Sequence, residues 1–181
     1  MPKISVIMGV YNCKNNELLK KSIDSILSQT FKDFEFIICN DGSTDDTLVR
    51  LKQIETMDSR IRIISYDKNQ VLNNALNTCL EVAKGEYIAR QDDDDLSKPE
   101  RLRIQMGFLN EHPEYAMVGT CADIFDDDGV WGEYLVPERP LNDDFLWNSP
   151  FMHPTMLFRK NAVLSGGGVQ GSKGNKKMRR L

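Results

Sequence analysis

Phe34-Glu35-Phe36-Ile37-Ile38-Cys39-Asn40-Asp41-Gly42-Ser43-Thr44-Asp45-Asp46 decides the architecture. An apolar run of strand length, Phe34 to Cys39, breaks at a polar turn, and Leu48, Leu51 and Ile54 then recur at helical spacing. Ser43-Thr44-Asp45-Asp46 reads as a capping signature opening that helix, with Gly42 supplying the tight turn. The same alternation extends to both sides. Ile4 to Met8 is a buried strand, followed by Leu19, Ile23, Ile26 and Leu27 at helical spacing. Ile61 to Tyr66 is a third strand, and Leu72, Leu76, Cys79, Leu80 and Ala83 form the clearest helical stripe. Gly85 is expected to stop that helix as a C′ residue. Glu86 to Arg90 makes a fourth strand, and Pro99 starts a helix with Leu102, Met106 and Leu109 on one face. Strands separated by helices imply βαβ units, an α/β fold with a mainly parallel central sheet flanked by helices.

Beyond Tyr115 the pattern loosens. Ala116–Gly119, Cys121–Phe125, Val130–Val136 and Thr155–Phe158 are short strand candidates, and Asp126-Asp127-Asp128-Gly129 is a turn. Residues 1–168 are assigned to one domain, and 169–181 to a basic, poorly ordered tail. The 181 residues suffice for one core, with 40% hydrophobic and 28% charged residues. No apolar run approaches the roughly 18 residues of a membrane span, and Ile4–Met8 is too short for a signal peptide. The expected compartment is the cytoplasm. Four cysteines without CxxC spacing argue against zinc and disulfides, and for reduced thiols in or near the core. The net charge of −4 argues against nucleic acid. After Asp144 there is no Asp or Glu, while Arg159, Lys160, Lys173, Lys176, Lys177, Arg179 and Arg180 are basic. That end is either a solvated tail or a peripheral contact with anionic lipid headgroups.

Right-handed crossovers bring the strand carboxyl ends to one edge, where open α/β sheets bind ligands. Val10-Tyr11-Asn12, Asn40-Asp41-Gly42-Ser43 and Asp92-Asp93-Asp94-Asp95 therefore converge on one cleft. Neighbouring carboxylates repel unless a cation compensates. If the stretch is extended, Asp92 and Asp94 point to one side and share a hard divalent ion, Mg²⁺ or Mn²⁺, that neutralises a departing diphosphate. The plainer alternative is a solvated acidic loop. Asp41, an acceptor only, suits a ring N–H such as that of uracil, and Tyr11 either stacks on the base or packs. Gly166, Gly168 and Gly171 match a dinucleotide fingerprint without the helix that should follow.

Together these segments resemble glycosyltransferase family 2, inverting enzymes with a Rossmann-like, GT-A-type nucleotide-diphospho-sugar transferase fold. The likeness rests on Ser5–Asn12, Ser28-Gln29-Thr30-Phe31, Phe36–Asp45, Gly85–Arg90 leading into the aspartates, and His153-Pro154-Thr155-Met156. The resemblance implies that Asp41 contacts the base, that Asp92 and Asp94 form a D-x-D pair, and that Asp94 is the direct metal ligand. Val10, Tyr11, Asn12 and Asp93 join Asp41 in the nucleotide-sugar set, His153 lies on the acceptor side, and the donor is a UDP-sugar. The acceptor is a sugar or lipid-linked saccharide of surface-polysaccharide synthesis. Gly9 replaces the usual Pro or Thr with little expected effect, and Val71 replaces a common Gly. No acid occupies Lys176-Lys177-Met178-Arg179-Arg180, where the family places its general base. The base is therefore unassigned, and the sequence is expected to be truncated or to diverge near Gly168. Two rivals remain: a non-catalytic sugar-nucleotide-binding module and a metal-dependent phosphohydrolase.

Overall fold

The computed structural model describes residues 1–140 and 150–169. In chain order these form β1 (Ile4–Val10), α1 (Asn16–Leu27), β2 (Phe34–Asn40), α2 (Thr47–Glu55), β3 (Ile61–Ser65), α3 (Leu72–Val82) and β4 (Tyr87–Arg90). Then follow α4 (Arg101–Glu111), β5 (Met117–Val118), β6 (Ala122–Asp126), β7 (Gly129–Tyr134), β8 (Leu157–Arg159) and α5 (Lys160–Ser165). Among the described residues the main sheet has the order β3-β2-β1-β4-β8-β5, while β6 and β7 pair only with each other. β1 to β4 are mutually parallel; β8 runs antiparallel to β4 and β5. The chain winds outward from β1 through β2 to β3, then returns to place β4 on the other flank of β1. That reversal is a topological switch point, and it lies where the polar strand ends meet.

The strands read as unbroken apolar runs because both faces of the sheet are covered. Ile4, Val6, Met8 and Val10 of β1 face Leu19, Ile23 and Ile26 of α1, Leu51 of α2, and Leu102 and Leu109 of α4. Ile7, Ile37 and Cys39 face Leu76, Cys79 and Leu80 of α3 on the other side. Each fully buried leucine or isoleucine contributes about 1.5–3 kcal/mol relative to exposure. All four cysteines are free thiols; Cys39 and Cys79 are core residues as expected, Cys13 is half-buried, and Cys121 is exposed rather than near the core. Among the described residues no helix is long and apolar enough to cross a membrane.

Several local expectations are corrected. Gly85 is not a left-handed cap. A Cβ there would lie 2.4 Å from the Ser5 backbone nitrogen, so close passage beneath β1 requires glycine. Ser43 does not cap α2; the Asp45 carboxylate accepts from Thr47 N–H (3.0 Å), while Ser43 Oγ accepts from Asn12 N–H (2.9 Å). Pro99 lies in a turn and α4 begins at Arg101, its Leu102 N–H capped by Gln29 Oε1 from beyond α1 (3.0 Å). Thr155 belongs to a 3-10 turn, His153–Thr155, and not to the last strand. At Gly9 a Cβ would come within 2.6 Å of Leu72 Cδ1, the tip of a half-exposed side chain, and 3.5 Å of Ala75 Cβ. Val169, counted with the tail, is held by two hydrogen bonds to the Asn77 side chain, at 2.8 and 3.0 Å. The rest of the expected tail, the basic cluster 173–180 and Gly171 lie outside the described residues.

Candidate functional site

Three strand ends build the rim beside the switch point. Past the end of β1, Val10 C=O accepts from Asp41 N–H (2.8 Å), which carries the parallel ladder one residue into the loops. Val10 is buried and Tyr11 stands 47% exposed at the rim. Asn12 adopts φ 47°, a left-handed conformation that asparagine tolerates better than most residues. Its side-chain oxygen accepts from Thr44 N–H (2.8 Å). Asn12 thus ties the β1 loop to the β2 loop, a positioning task that the ligand-binding expectation did not include.

Asp41 is buried, 2% exposed. Its carboxylate accepts from Gln70 N–H (2.7 Å) and from the Asn69 side-chain amide (3.1 Å). An ionised carboxylate offers about four acceptor positions, so these bonds fix the group and leave capacity for one more donor. Gly42, at φ 69°, lets the turn pass over Lys68, where a Cβ would lie 2.3 Å from the backbone carbon. The β3–α3 loop is thereby held against Asp41. Val71, next in that loop, has φ 70° and ψ 152°, a region that is essentially glycine's own.

The aspartate run is not extended. It turns, with Asp95 N–H donating to Asp92 C=O (3.4 Å), so simple alternation does not align Asp92 with Asp94. Asp92 is gripped through both carboxylate oxygens by Arg90, Nε to Oδ1 at 2.9 Å and Nη2 to Oδ2 at 3.1 Å. Asp93 turns toward Cys13, and burial first, then the charges of Asp94 and Asp92, raise its carboxyl above the usual range. Burial and the Asp93 charge likewise push the Cys13 thiol up. Asp95 is pushed up to about 6, by burial and then by Asp94 and Asp92. Asp94 alone of the four is exposed.

Residues that sequence reasoning passed over hold this turn. From α1, Ser22 Oγ donates to Asp92 C=O (2.8 Å), Ser25 Oγ accepts from Ser97 N–H (3.0 Å), and just past its end Gln29 Nε2 donates to Lys98 C=O (2.8 Å). Ser22, Ser25 and Gln29 recur at helical spacing, a polar stripe beside the apolar one that could have been noticed. Gln91, 1% exposed, donates to Asp95 C=O (2.7 Å) and accepts from Ser97 Oγ (2.6 Å). Beneath lies Arg101, whose guanidinium burial lowers to about 10, still charged at neutral pH. Its signal was Arg101 and Gln105, four residues apart on the apolar face of α4.

His153 is exposed on its 3-10 turn. Its neighbours Met152, Pro154 and Thr155 line a cavity of about 740 Å³ together with Asp95, Ile104 and Phe125, and His153 does not. The cavity lies between the acidic turn and the β6–β7 hairpin. Asp126-Asp127-Asp128-Gly129 is the turn of that hairpin, with Gly129 at φ 120°. Among the described residues no cluster of three or more His, Cys, Asp or Glu side chains forms a ready metal cage. The set instead offers an exposed carboxylate and a braced one, the sparse oxygen donation that suits Mg²⁺ or Mn²⁺ when substrate phosphates complete the shell.

The model of the family described as "Glycosyl transferase family 2" matches residues 5–167. The chain belongs to glycosyltransferase family 2. It is 47% identical over 162 residues to the putative glycosyltransferase EpsE of Bacillus subtilis (strain 168), covering 89% of this chain and 58% of EpsE. It is 30% identical over 145 residues to the Escherichia coli UDP-Glc:alpha-D-GlcNAc-diphosphoundecaprenol beta-1,3-glucosyltransferase WfgD, covering 80% of this chain and 55% of WfgD. In structure it is similar to the mannosyltransferase PcManGT from Pyrobaculum calidifontis in complex with GDP-Man and Mn²⁺, at TM-score 0.69 and 18% identity, over 92% of this chain and 47% of that one. That likeness shows the fold, a GT-A-type glycosyltransferase fold. The family 2 chain described here spans about half the length of these proteins.

Proposed function

We propose that this chain is the donor-binding part of a family 2 glycosyltransferase that takes sugar from a nucleoside diphosphate, UDP in the first instance, and passes it with inversion to an acceptor hydroxyl. The convergence of Asp41 and the aspartate turn on the rim beside the β1–β4 switch point carries this reading. Asp41 accepts the ring N–H of the base, Tyr11 covers the ring, and Val10, Asn12 and Asp93 shape the floor between base and phosphates. Asp94 and, behind it, Asp92 hold the divalent ion, Mn²⁺ or Mg²⁺. Bound there, that ion supplies charge neutralisation for the diphosphate leaving group. Arg90 holds Asp92 through both carboxylate oxygens, and the bonds of the turn to α1 keep Asp94 facing the rim. The acceptor is a sugar or lipid-linked saccharide for surface-polysaccharide assembly at the cytoplasmic face of a membrane, a reading supported by the acceptor that WfgD's name states. It approaches from the side of His153.

The acid after the His-Pro-Thr block that would act as general base is unassigned, since no Asp or Glu follows Asp144. That favours a second reading for this chain in isolation, donor binding with little or no transfer. A thermal-shift panel of UDP, GDP and UDP-sugars with and without Mn²⁺ tests both. Ligand at a hundred times its Kd should stabilise by about 2.7 kcal/mol, with uridine nucleotides leading and Mn²⁺ enlarging the shift of the diphosphates. Shifts indifferent to metal would overturn the donor site; efficient transfer to an acceptor by the isolated chain would overturn the second reading.

A further inference from the structure

Arg101 is 9% exposed and, among the described residues, has no carboxylate within ion-pair distance. Every one of its N–H directions is nonetheless used. Nε donates to Gln105 Oε1 (3.2 Å), Nη1 to Gln91 Oε1 (3.0 Å) and Ser97 Oγ (2.7 Å), and Nη2 to the carbonyls of Arg90 (2.6 Å) and Met156 (3.4 Å). Arg90 and Gln91 enter the aspartate turn and Ser97 leaves it. Met156 follows the His153–Thr155 turn, and Gln105 Nε2 donates to Thr155 C=O (2.7 Å). One planar fork therefore clamps both stems of the acidic turn and the segment leading into β8. Paired with a carboxylate, a buried arginine would be a neutralised strut. Here the charge stays uncancelled by direct contact, under carboxylates that lie beside one another, and only Asp95 and Asp92 feel it through space.

We propose that Arg101 is a positioning residue that sets the geometry of the Asp92–Asp95 turn for a metal-bound diphosphate. Its rigid fork, rather than its charge alone, is the operative property. A flexible ammonium cannot bridge five acceptors in one plane, and supports behind metal ligands typically govern about 10–100-fold of metal affinity. The inference rests on the reading of that turn as the metal–diphosphate site.

The test compares wild type with Arg101→Lys and Arg101→Met. Mn²⁺ is titrated into UDP-saturated protein by calorimetry, and uridine binding is measured separately in chelator, where only the Asp41 side of the rim is engaged. Both variants should weaken Mn²⁺ binding about ten-fold or more and leave uridine affinity unchanged. Unchanged Mn²⁺ affinity in Arg101→Lys overturns the role of the fork. Tighter Mn²⁺ binding in Arg101→Met, the result of removing a like charge, also overturns it. Equal loss of uridine and Mn²⁺ binding marks a merely structural residue and overturns it as well. A wild type that shows no Mn²⁺ response but binds uridine sinks the donor-site reading, and this proposal with it. Should the Arg101 variants not fold, Ser97→Ala removes one acceptor at little structural cost. It should weaken Mn²⁺ about two- to five-fold, a fraction of the full effect; no change in it overturns the proposal.

Discussion

Asp94 stands apart from its neighbours because, among the described residues, it has no protein partner of its own while Asp92, Asp93 and Asp95 are committed inward. Arg90 holds the first, Cys13 lies against the second, and burial raises the third to about 6. Asp94→Asn removes the exposed carboxylate and the repulsion it exerts on Asp93 and Asp95. The metal-free variant should melt at or above the wild-type temperature. Its Mn²⁺-dependent UDP affinity should fall by about 1.5–3 kcal/mol, the range for a lost charged contact. A combined thermal-shift and calorimetric comparison checks both halves. A lower melting temperature with intact affinity would show that Asp94 braces the turn and takes no part in binding. Spacing picked out the run as a site and paired Asp92 with Asp94, but it did not show how each carboxylate is held. Their division into braced, buried and exposed depends on Arg90, Cys13 and Arg101, contacts that lie across the fold or beyond the motif.

At the scale of elements, α3 starts under strain. Val71 holds φ 70° and ψ 152° while its side chain is 61% exposed, so no packing compensates the conformation. Such backbone costs about 1–3 kcal/mol in a residue with a Cβ, against about 0.5–1 kcal/mol for glycine's extra unfolded freedom. Val71→Gly should therefore raise stability by about 1 kcal/mol, read from urea unfolding midpoints at unchanged slope. The resemblance flagged that position as unusual without saying why, since a backbone angle is invisible in composition. The α2–β3 connection offers a pH test. Asp58 accepts from Arg60 Nε (3.0 Å), Nη2 (2.7 Å) and N–H (2.9 Å), and the bond to the Arg60 side chain foremost holds its carboxyl below the usual range. A depressed carboxyl stabilises above its unfolded pKa, about 3.9, and loses that contribution as pH falls through the folded value. Asp58→Asn should remove about 1 kcal/mol at pH 7 and make stability flatter below pH 4. An acid limb parallel to wild type would refute the assignment.

Across the whole molecule, β1, β2 and β4 form a rigid centre, and the loops at their carboxyl ends share hydrogen bonds. Among the described residues the β6–β7 hairpin pairs only with itself, and Val130, Trp131 and Tyr134 are exposed. Hydrogen exchange should be slowest in β1 and β2, and faster by orders of magnitude in the hairpin. UDP with Mn²⁺ should slow exchange together at residues 10–13, 41–44, 69–71 and 91–97, leaving the hairpin tip unaffected. Protection confined to one of those segments would break the claim that they form one site. The architecture was legible because unbroken apolar runs of strand length alternate with stretches whose apolar residues recur at helical spacing. The capping of α4 from beyond α1 and the antiparallel entry of β8 were not, because each is fixed by partners dozens of residues away, and the burial of Arg101 was not, because its partners converge only once the acidic turn folds back over α4. Gly85 shows the difference plainly: glycine was expected, but its cause is a neighbouring strand and not its own helix.

Among the described residues β3 is the outermost strand on one flank of the main sheet, with Ile61 and Ile63 turned inward and Arg62 between them facing water. Ile61 N–H is taken by Asp58 C=O (3.0 Å) and Ile63 N–H by Glu55 Oε1 (2.6 Å), which blunts the five-residue border as a template on which another copy could stack, the first step of fibrous assembly. The cation at its second position, Arg62, makes such stacking place like charges opposite one another. Replacing that single arginine with an apolar residue would leave the rim untouched and make the protein prone to precipitate on concentration.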